Sequence, residues 1–186
     1  TVVERHEVRL SGSGGQGMLL AGIILAEAAI LADKNAVQSQ SYGPEARGGA
    51  SRSEVVISNT DIDYPKVTQP EIFMALTQEA YNKYHHDLGP NALLVVDESL
   101  SLTDDLPEKS RVVRVPIIES ATETLKRPIV ANIVALGVLV GASSIVEHEF
   151  IEKAVLNRVP RGTEELNRRA LDLGFQLAAG AVGGNK

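Results

Sequence analysis

The chain has 186 residues, 44% of them hydrophobic but only 4% aromatic. That suits a single domain able to bury about two-thirds of its unfolded surface around an Ile, Val, Leu and Ala core, as in layered α/β proteins. The absence of Cys excludes a disulfide framework, a thiol nucleophile, a thiolate zinc site and a cysteine-ligated iron–sulfur cluster in this chain. Eighteen basic against 24 acidic residues give a net charge of −6, and with no Lys/Arg block or aromatic-basic interleaving no nucleic-acid partner is expected.

In chain order, residues 8–10 read as a first strand, and residues 16–31 as a helix apolar on more than one side, hence buried. Residues 36–41 and 53–58 read as strands, with a turn at Asn59, Thr60 and Asp61. An apolar segment at 72–76, a polar helix over 78–86 and strands at 93–97 and 112–115 follow. Helices then fit 128–141, 146–157 and 163–179, the last two separated by Pro160 and Gly162. This alternation predicts a Rossmann-like, three-layer α/β/α sandwich on a mostly parallel or mixed sheet, one domain over 1–179 with a flexible tail over 180–186.

The start of the sequence carries no apolar signal segment. The most apolar run, 129–145, is interrupted by Asn132, Gly137, Gly141 and two serines, so a cytoplasmic protein without a membrane span is expected.

Two glycine-rich stretches stand out. GSGGQG at 12–17 fits G-x-G-x-x-G between a strand and a helix, where backbone N–H groups and the helix dipole can receive an anion. The acidic residue that would read a ribose is misplaced, since Asp33 precedes the second strand. The stretch also fits G-x-x-x-x-G, but Met18 stands where a phosphate-binding loop needs lysine. Close packing or a subunit contact, an anionic part of a cofactor, and dinucleotide recognition all stay open for these glycines. Gln16 can donate to a ligand or cap its own loop.

The second stretch, SYGPEARGGA at 41–50, holds Glu45 and Arg47 between a Gly-Pro turn and the pair Gly48 and Gly49. Arg47 and Arg52 offer local positive charge for a phosphate, or members of an intersubunit ion-pair network. Tyr42 offers a flat ring and a hydroxyl to a ligand or to an interface.

Asp97 and Glu98 end a strong strand, with Ser99 and Ser101 following, a pattern that suits a turn or helix cap. His85 and His86 are adjacent and lack the i, i+4 spacing of a helical metal pair, and His6 and His148 have no local ligand partner. These histidines are expected to face solvent or bond locally, with no metal site. No G-x-S-x-G elbow is present, and no catalytic residue is assigned. Asn132 inside an apolar helix needs a hydrogen-bond partner if buried.

Taken together, GSGGQG and SYGPEARGG, followed by SRSEVVIS at 51–58, IDYP at 62–65, Asn132, and the late Val159, Pro160 and Asn167, Arg168, Arg169, Ala170, resemble the gamma subunit family of 2-oxoacid:ferredoxin oxidoreductases. The likeness covers nearly the whole chain, and the form SYGPEARGGASRSEVVIS with IDYP looks closest to the 2-oxoglutarate branch. The pyruvate, branched-chain 2-oxoacid and indolepyruvate enzymes are the alternatives.

The resemblance implies a subunit, inactive alone, of an enzyme that oxidatively decarboxylates a 2-oxoacid and passes the acyl group to coenzyme A and electrons to ferredoxin. Thiamine diphosphate and Mg2+ would lie in alpha and beta partners and 4Fe–4S clusters in a beta or ferredoxin-like delta partner, which agrees with the absence of Cys here. Isolated, the chain could form a homodimer. Gly14, Gly15, Gln16 and Gly17 would shape the first helix entrance. Tyr42, Glu45, Arg47, Gly48 and Gly49, with Arg52 second to Arg47 for a direct electrostatic role, would shape the contact toward the alpha partner and the acyl-transfer region near coenzyme A. A purely structural, non-catalytic subunit is the other reading within the same complex. A free-standing dinucleotide-binding protein is a further one.

Overall fold

The computed structural model describes residues 2–41 and 49–183. Six strands form one mixed sheet, β1 (Arg5–Ser13), β2 (Asn35–Ser41), β3 (Ala50–Ser58), β4 (Ile72–Ala75), β5 (Leu93–Asp97) and β6 (Arg111–Val115), in the order β2-β3-β1-β4-β5-β6. β1, β4, β5 and β6 run parallel, while β3 is antiparallel to both neighbours. The helices are α1 (Met18–Leu31), α2 (Gln78–Tyr84), the short α3 (Ile117–Glu119), α4 (Ala131–Ser143), α5 (His148–Arg158) and α6 (Glu164–Gly183).

Strand alternation assigns the two faces. Val8, Leu10, Val55, Ile57, Ile72, Met74, Val95 and Val113 pack into one core with α1, α4, α5 and α6. Phe73, Ala75, Leu94 and Val96 point the other way, into a smaller core closed by Tyr81 of α2 and Leu88 and Leu100. The sandwich is three-layered as the alternation predicts, but its layers are unequal, with α2 the helix on the thin side.

Several boundaries differ from the sequence reading. β1 is nine residues long, not three, because its polar residues pair with β3 through Ser13 opposite Ala50. α6 runs on to Gly183 where a tail was expected from 180, since Ala178 and Gly180 sit in a continuing helix and Ala178 is buried; residues 184–186 lie outside the described residues. The 128–141 helix opens with a 3-10 turn at Pro128–Val130 before α4, Pro128 serving as a helix start.

α4 and α6 cross in near backbone contact. A Cβ on Gly137 would meet the Leu171 carbonyl oxygen at 2.3 Å, and one on Gly174 the Val134 carbonyl oxygen at 2.1 Å. Both positions need the absence of a side chain.

Candidate functional site

The β1–α1 connection is shorter than the motif suggests. Gly12 belongs to β1, opposite Ser51, and the turn is left to residues 14–17. Gln16 closes it on itself: its N–H donates to the Ser13 carbonyl at 3.1 Å, and its Oε1 accepts from the Ser13 N–H at 2.8 Å. A Cβ on Gly12 would lie 2.6 Å from that Oε1. The first glycine of the motif therefore makes room for the Gln16 amide. Of the two roles open to Gln16, the structure shows the loop cap.

Gly17 precedes α1 in the left-handed region, φ 72° and ψ 36°, which a glycine adopts without strain. The buried Asn132 amide donates to the Gly17 carbonyl at 3.2 Å, while its Oδ1 accepts from the Ile133 N–H at 2.9 Å. That is the bond its burial demanded. Among the described residues no side chain caps the N-terminus of α1, and no acidic residue lies in its first turn. Gly14 and Gly15 are exposed beside it.

Two grooves meet at Gln16. One, of about 290 Å³, is largely apolar and lined by Gly15, Gln16, Leu20, Ile129, Val159 and Pro160 among others. The other, of about 590 Å³, lies beyond the ends of β4 and β5, lined by Gln16, Thr77, Asp97, Glu98, Glu119 and Glu123 among others. There α1 and α2 leave adjacent parallel strands for opposite faces, the position where open α/β sheets commonly bind ligands. Its charge is wrong for an anion. Desolvation and the neighbouring Glu119 push the Glu98 carboxyl up from its ordinary value. Asp97 is occupied as a cap, its Oδ2 accepting from the Ser99 N–H at 3.1 Å and the Ser99 hydroxyl at 2.6 Å and its Oδ1 from the Ile118 N–H at 2.9 Å.

The second glycine-rich stretch springs from the same end of the sheet. Ser41 opposite Arg52 closes the β2–β3 hairpin, and the Ser51 hydroxyl donates to the Ser13 carbonyl at 3.2 Å. The bases of both stretches are thereby joined, with Gly49 half-buried at the junction. Tyr42, Glu45, Arg47 and Gly48 lie outside the described residues.

Arg52 is not brought to the α1 groove. It faces the α2 side of the sheet, its guanidinium carbon 5.3 Å from the Tyr84 ring centroid. Its Nε is 3.9 Å from Glu54 Oε1, too far for a hydrogen bond, and has no hydrogen-bond partner among the described residues.

Sequence reasoning missed the network beneath it. Arg9, 2% exposed, bonds Glu54 at 2.8 Å, the Tyr84 carbonyl at 2.9 Å and both oxygens of Asp87. The signal was available: Arg9 alternates with Val8 and Leu10, so on a strand it must point at the opposite face, where a buried guanidinium needs acidic partners.

A two-layered helical cover over a mixed sheet, with a self-capped glycine turn joined to a glycine-rich hairpin at one end, defines an α/β domain built to present two loops together. The family of pyruvate ferredoxin/flavodoxin oxidoreductases matches residues 7–177. Subunit KorC of the 2-oxoglutarate synthase of Methanocaldococcus jannaschii is 53% identical over 176 residues, 94% of each chain. The crystal structure of a keto/oxoacid ferredoxin oxidoreductase gamma subunit from Geobacter sulfurreducens, 50% identical, superposes with a TM-score of 0.85 over 96% of this chain and 98% of that one. The fold also recurs, at 22% identity and a TM-score of 0.83, over 95% of this chain and 31% of a 2-oxoglutarate:ferredoxin oxidoreductase chain from Magnetococcus marinus, a structure with 2-oxoglutarate, coenzyme A and succinyl-CoA bound. The chain belongs to the pyruvate ferredoxin/flavodoxin oxidoreductase family, as a gamma subunit of a 2-oxoacid:ferredoxin oxidoreductase. It is thus one part of a multi-subunit oxidoreductase, and no helix among its described residues is long and apolar enough to cross a membrane.

Proposed function

We propose that this gamma subunit serves a 2-oxoglutarate:ferredoxin oxidoreductase and positions coenzyme A there while completing the assembly. The substrate assignment rests on the identity to a 2-oxoglutarate synthase subunit across nearly the whole chain. In such an assembly, thiamine diphosphate with Mg2+ and 4Fe–4S clusters on alpha, beta and delta partners supply the decarboxylation and carry electrons to ferredoxin.

The observation that carries the coenzyme A role is the N-terminus of α1, capped by no side chain among the described residues, flanked by exposed Gly14 and Gly15 and opening beside an apolar groove. Coenzyme A has a comparable division, phosphates at one end and an uncharged arm of methylenes, methyls and amides at the other. The backbone N–H groups of Gly15 and Gly17 and the α1 dipole would hold the anionic part, the Leu20 and Val159 side of the groove the arm. Gln16 keeps the turn in shape, and the Ser51 hydroxyl ties its base to the hairpin whose sequence includes Tyr42, Arg47 and Gly48. Arg52, with its unpaired Nε, fits a contact from the α2 face to a partner subunit or to that hairpin. The contribution of this chain is orientation of the acyl acceptor.

Gly15 provides the test, because a Cβ there meets nothing within 4 Å among the described residues. In the assembled enzyme, Gly15→Asp places a negative charge at the mouth of α1. The KM for coenzyme A is expected to rise about two- to fivefold, the size of a lost or opposed charge at an exposed helix N-terminus, with the KM for 2-oxoglutarate unchanged. An unchanged KM for coenzyme A in an intact complex removes the coenzyme A role. A second reading, in which the glycine turn serves assembly alone, is favoured by Ile129, 79% exposed at the rim of the apolar groove. It predicts loss of subunit association in Ile129→Asp and no effect on coenzyme A kinetics in Gly15→Asp.

A further inference from the structure

On the α2 side of the sheet, the adjacent His85 and His86 meet Asp105, a residue that the sequence pattern does not single out. His85 caps the C-terminus of α2, 4% exposed and stacked on Tyr81 with ring centroids 4.4 Å apart. Its Nδ1 lies 2.7 Å from the Tyr81 carbonyl, and since a carbonyl only accepts, Nδ1 carries the proton. His86 is held the same way, its Nε2 2.8 Å from the Asn82 carbonyl. Each imidazole is thus fixed in one tautomer by the helix backbone.

The two remaining ring nitrogens face one carboxylate. His85 Nε2 is 3.0 and 3.1 Å from the Asp105 oxygens, and His86 Nδ1 is 3.7 Å from Asp105 Oδ2. In neutral imidazoles both nitrogens present lone pairs to that negative charge. A proton on His85 relieves one contact, but 3.7 Å is too long for His86 to be relieved by a hydrogen bond. A cation between all three relieves both.

We propose that His85, His86 and Asp105 bind a divalent transition metal of the zinc class, with water in the fourth position. Two imidazole nitrogens and one carboxylate favour zinc, cobalt or nickel over magnesium or calcium, which select oxygen. Their ligand atoms lie within 4.8 Å of one another. Tetrahedral bonds of about 2.0–2.2 Å place ligand atoms roughly 3.3 Å apart, so binding requires the ligand atoms to close by up to about 1.5 Å. The surrounding groups are those that orient metal ligands elsewhere: each histidine donates its other N–H to a carbonyl, and the Thr103 hydroxyl bonds Asp105 Oδ1. Bound metal would clip the end of α2 to the connection between β5 and β6. None of the three residues lines either groove at Gln16.

The test uses the whole chain, free of any histidine tag and stripped with chelator, titrated with Zn2+ by calorimetry and with Co2+ by visible absorption. One equivalent should bind, with a four-coordinate cobalt spectrum and a zinc-dependent rise in Tm. His86→Ala, an exposed position whose loss spares the His85–Asp105 pair, and Asp105→Asn should each weaken binding at least tenfold. Thr103→Val should weaken it by about 10- to 100-fold, the usual cost of an outer-shell group. Absence of stoichiometric uptake, or uptake undiminished in His86→Ala, overturns the site and leaves His85 and Asp105 as an ion pair.

Discussion

The Asn132 side-chain amide donates to the Gly17 carbonyl across 115 positions of sequence, and its Nδ2 stands 2.6 Å from where a Cβ on Gly17 would lie. One contact therefore ties the start of α4 to the start of α1 and sets the wall of the apolar groove. Gly17→Ala meets two penalties, the left-handed φ of 72°, worth about 1–2 kcal/mol for an L-residue, and the collision with the amide. Thermal unfolding of Gly17→Ala should show both. In an Asn132→Ala background the collision is gone and only the backbone cost should remain, so the double-mutant cycle is expected to show clear coupling.

The α4–α6 crossing makes a separate prediction about glycines in helices. Gly137→Ala drives a methyl into the Leu171 carbonyl, which belongs to a packed backbone and cannot rotate away. A loss of about 3 kcal/mol is expected, at the upper end of overpacking costs. Gly180→Ala, in the same α6 but with nothing within 4 Å of the new methyl, should instead gain about 0.5–1 kcal/mol from helix propensity. Denaturant unfolding of the two variants should move in opposite directions.

Acid should act through Asp87. Burial pushes its carboxyl up, but the hydrogen bond and charge of Arg9 outweigh burial and hold it below the ordinary carboxylate value. A group depressed on folding contributes stability that is present above its unfolded pKa, about 3.9, and is lost as pH falls through the folded value. Asp87→Asn should therefore cost stability at neutral pH and flatten the decline below about pH 4. His6 has the opposite sign. Its hydrogen bond to Glu71 raises its pKa, so its contribution is complete below about 6.5 and fades as pH rises through the raised value. His6→Gln should remove that alkaline slope in unfolding curves taken from pH 6 to 9.

Periodicity made most of the fold legible. β5 is Leu93–Asp97 in sequence pattern and in structure alike, because five consecutive buried residues bounded by turn formers leave little choice. β1 was underread because Arg5, Glu7 and Arg9 look like surface, whereas Arg9 is buried against acids contributed by β3 and the end of α2. No local pattern reveals partners 45 and 78 positions away. The same holds for the metal-type cluster: adjacency of His85 and His86 argued against a helical pair, and Asp105 reaches them only through the β5–β6 connection. The glycine motif was visible, but not which glycine did what, since Gly12 answers to the Gln16 side chain and Gly17 to a backbone angle and the Asn132 amide.

That division of labour gives a last prediction. Gly12→Ala places a methyl 2.6 Å from Gln16 Oε1, the end of a side chain that can swing aside only by releasing the Ser13 N–H. The loss should be about 1 kcal/mol, one hydrogen bond in a half-buried turn. Gln16→Ala should cost a similar amount, and adding Gly12→Ala to it should cost almost nothing further, because the amide that filled the space is gone. If coenzyme A is held by the turn whose shape that amide maintains, both single variants in the assembled enzyme should also raise the KM for coenzyme A by a common factor, and the double variant should raise it no more. Additive losses in unfolding would mean that Gly12 is required for some neighbour other than Gln16.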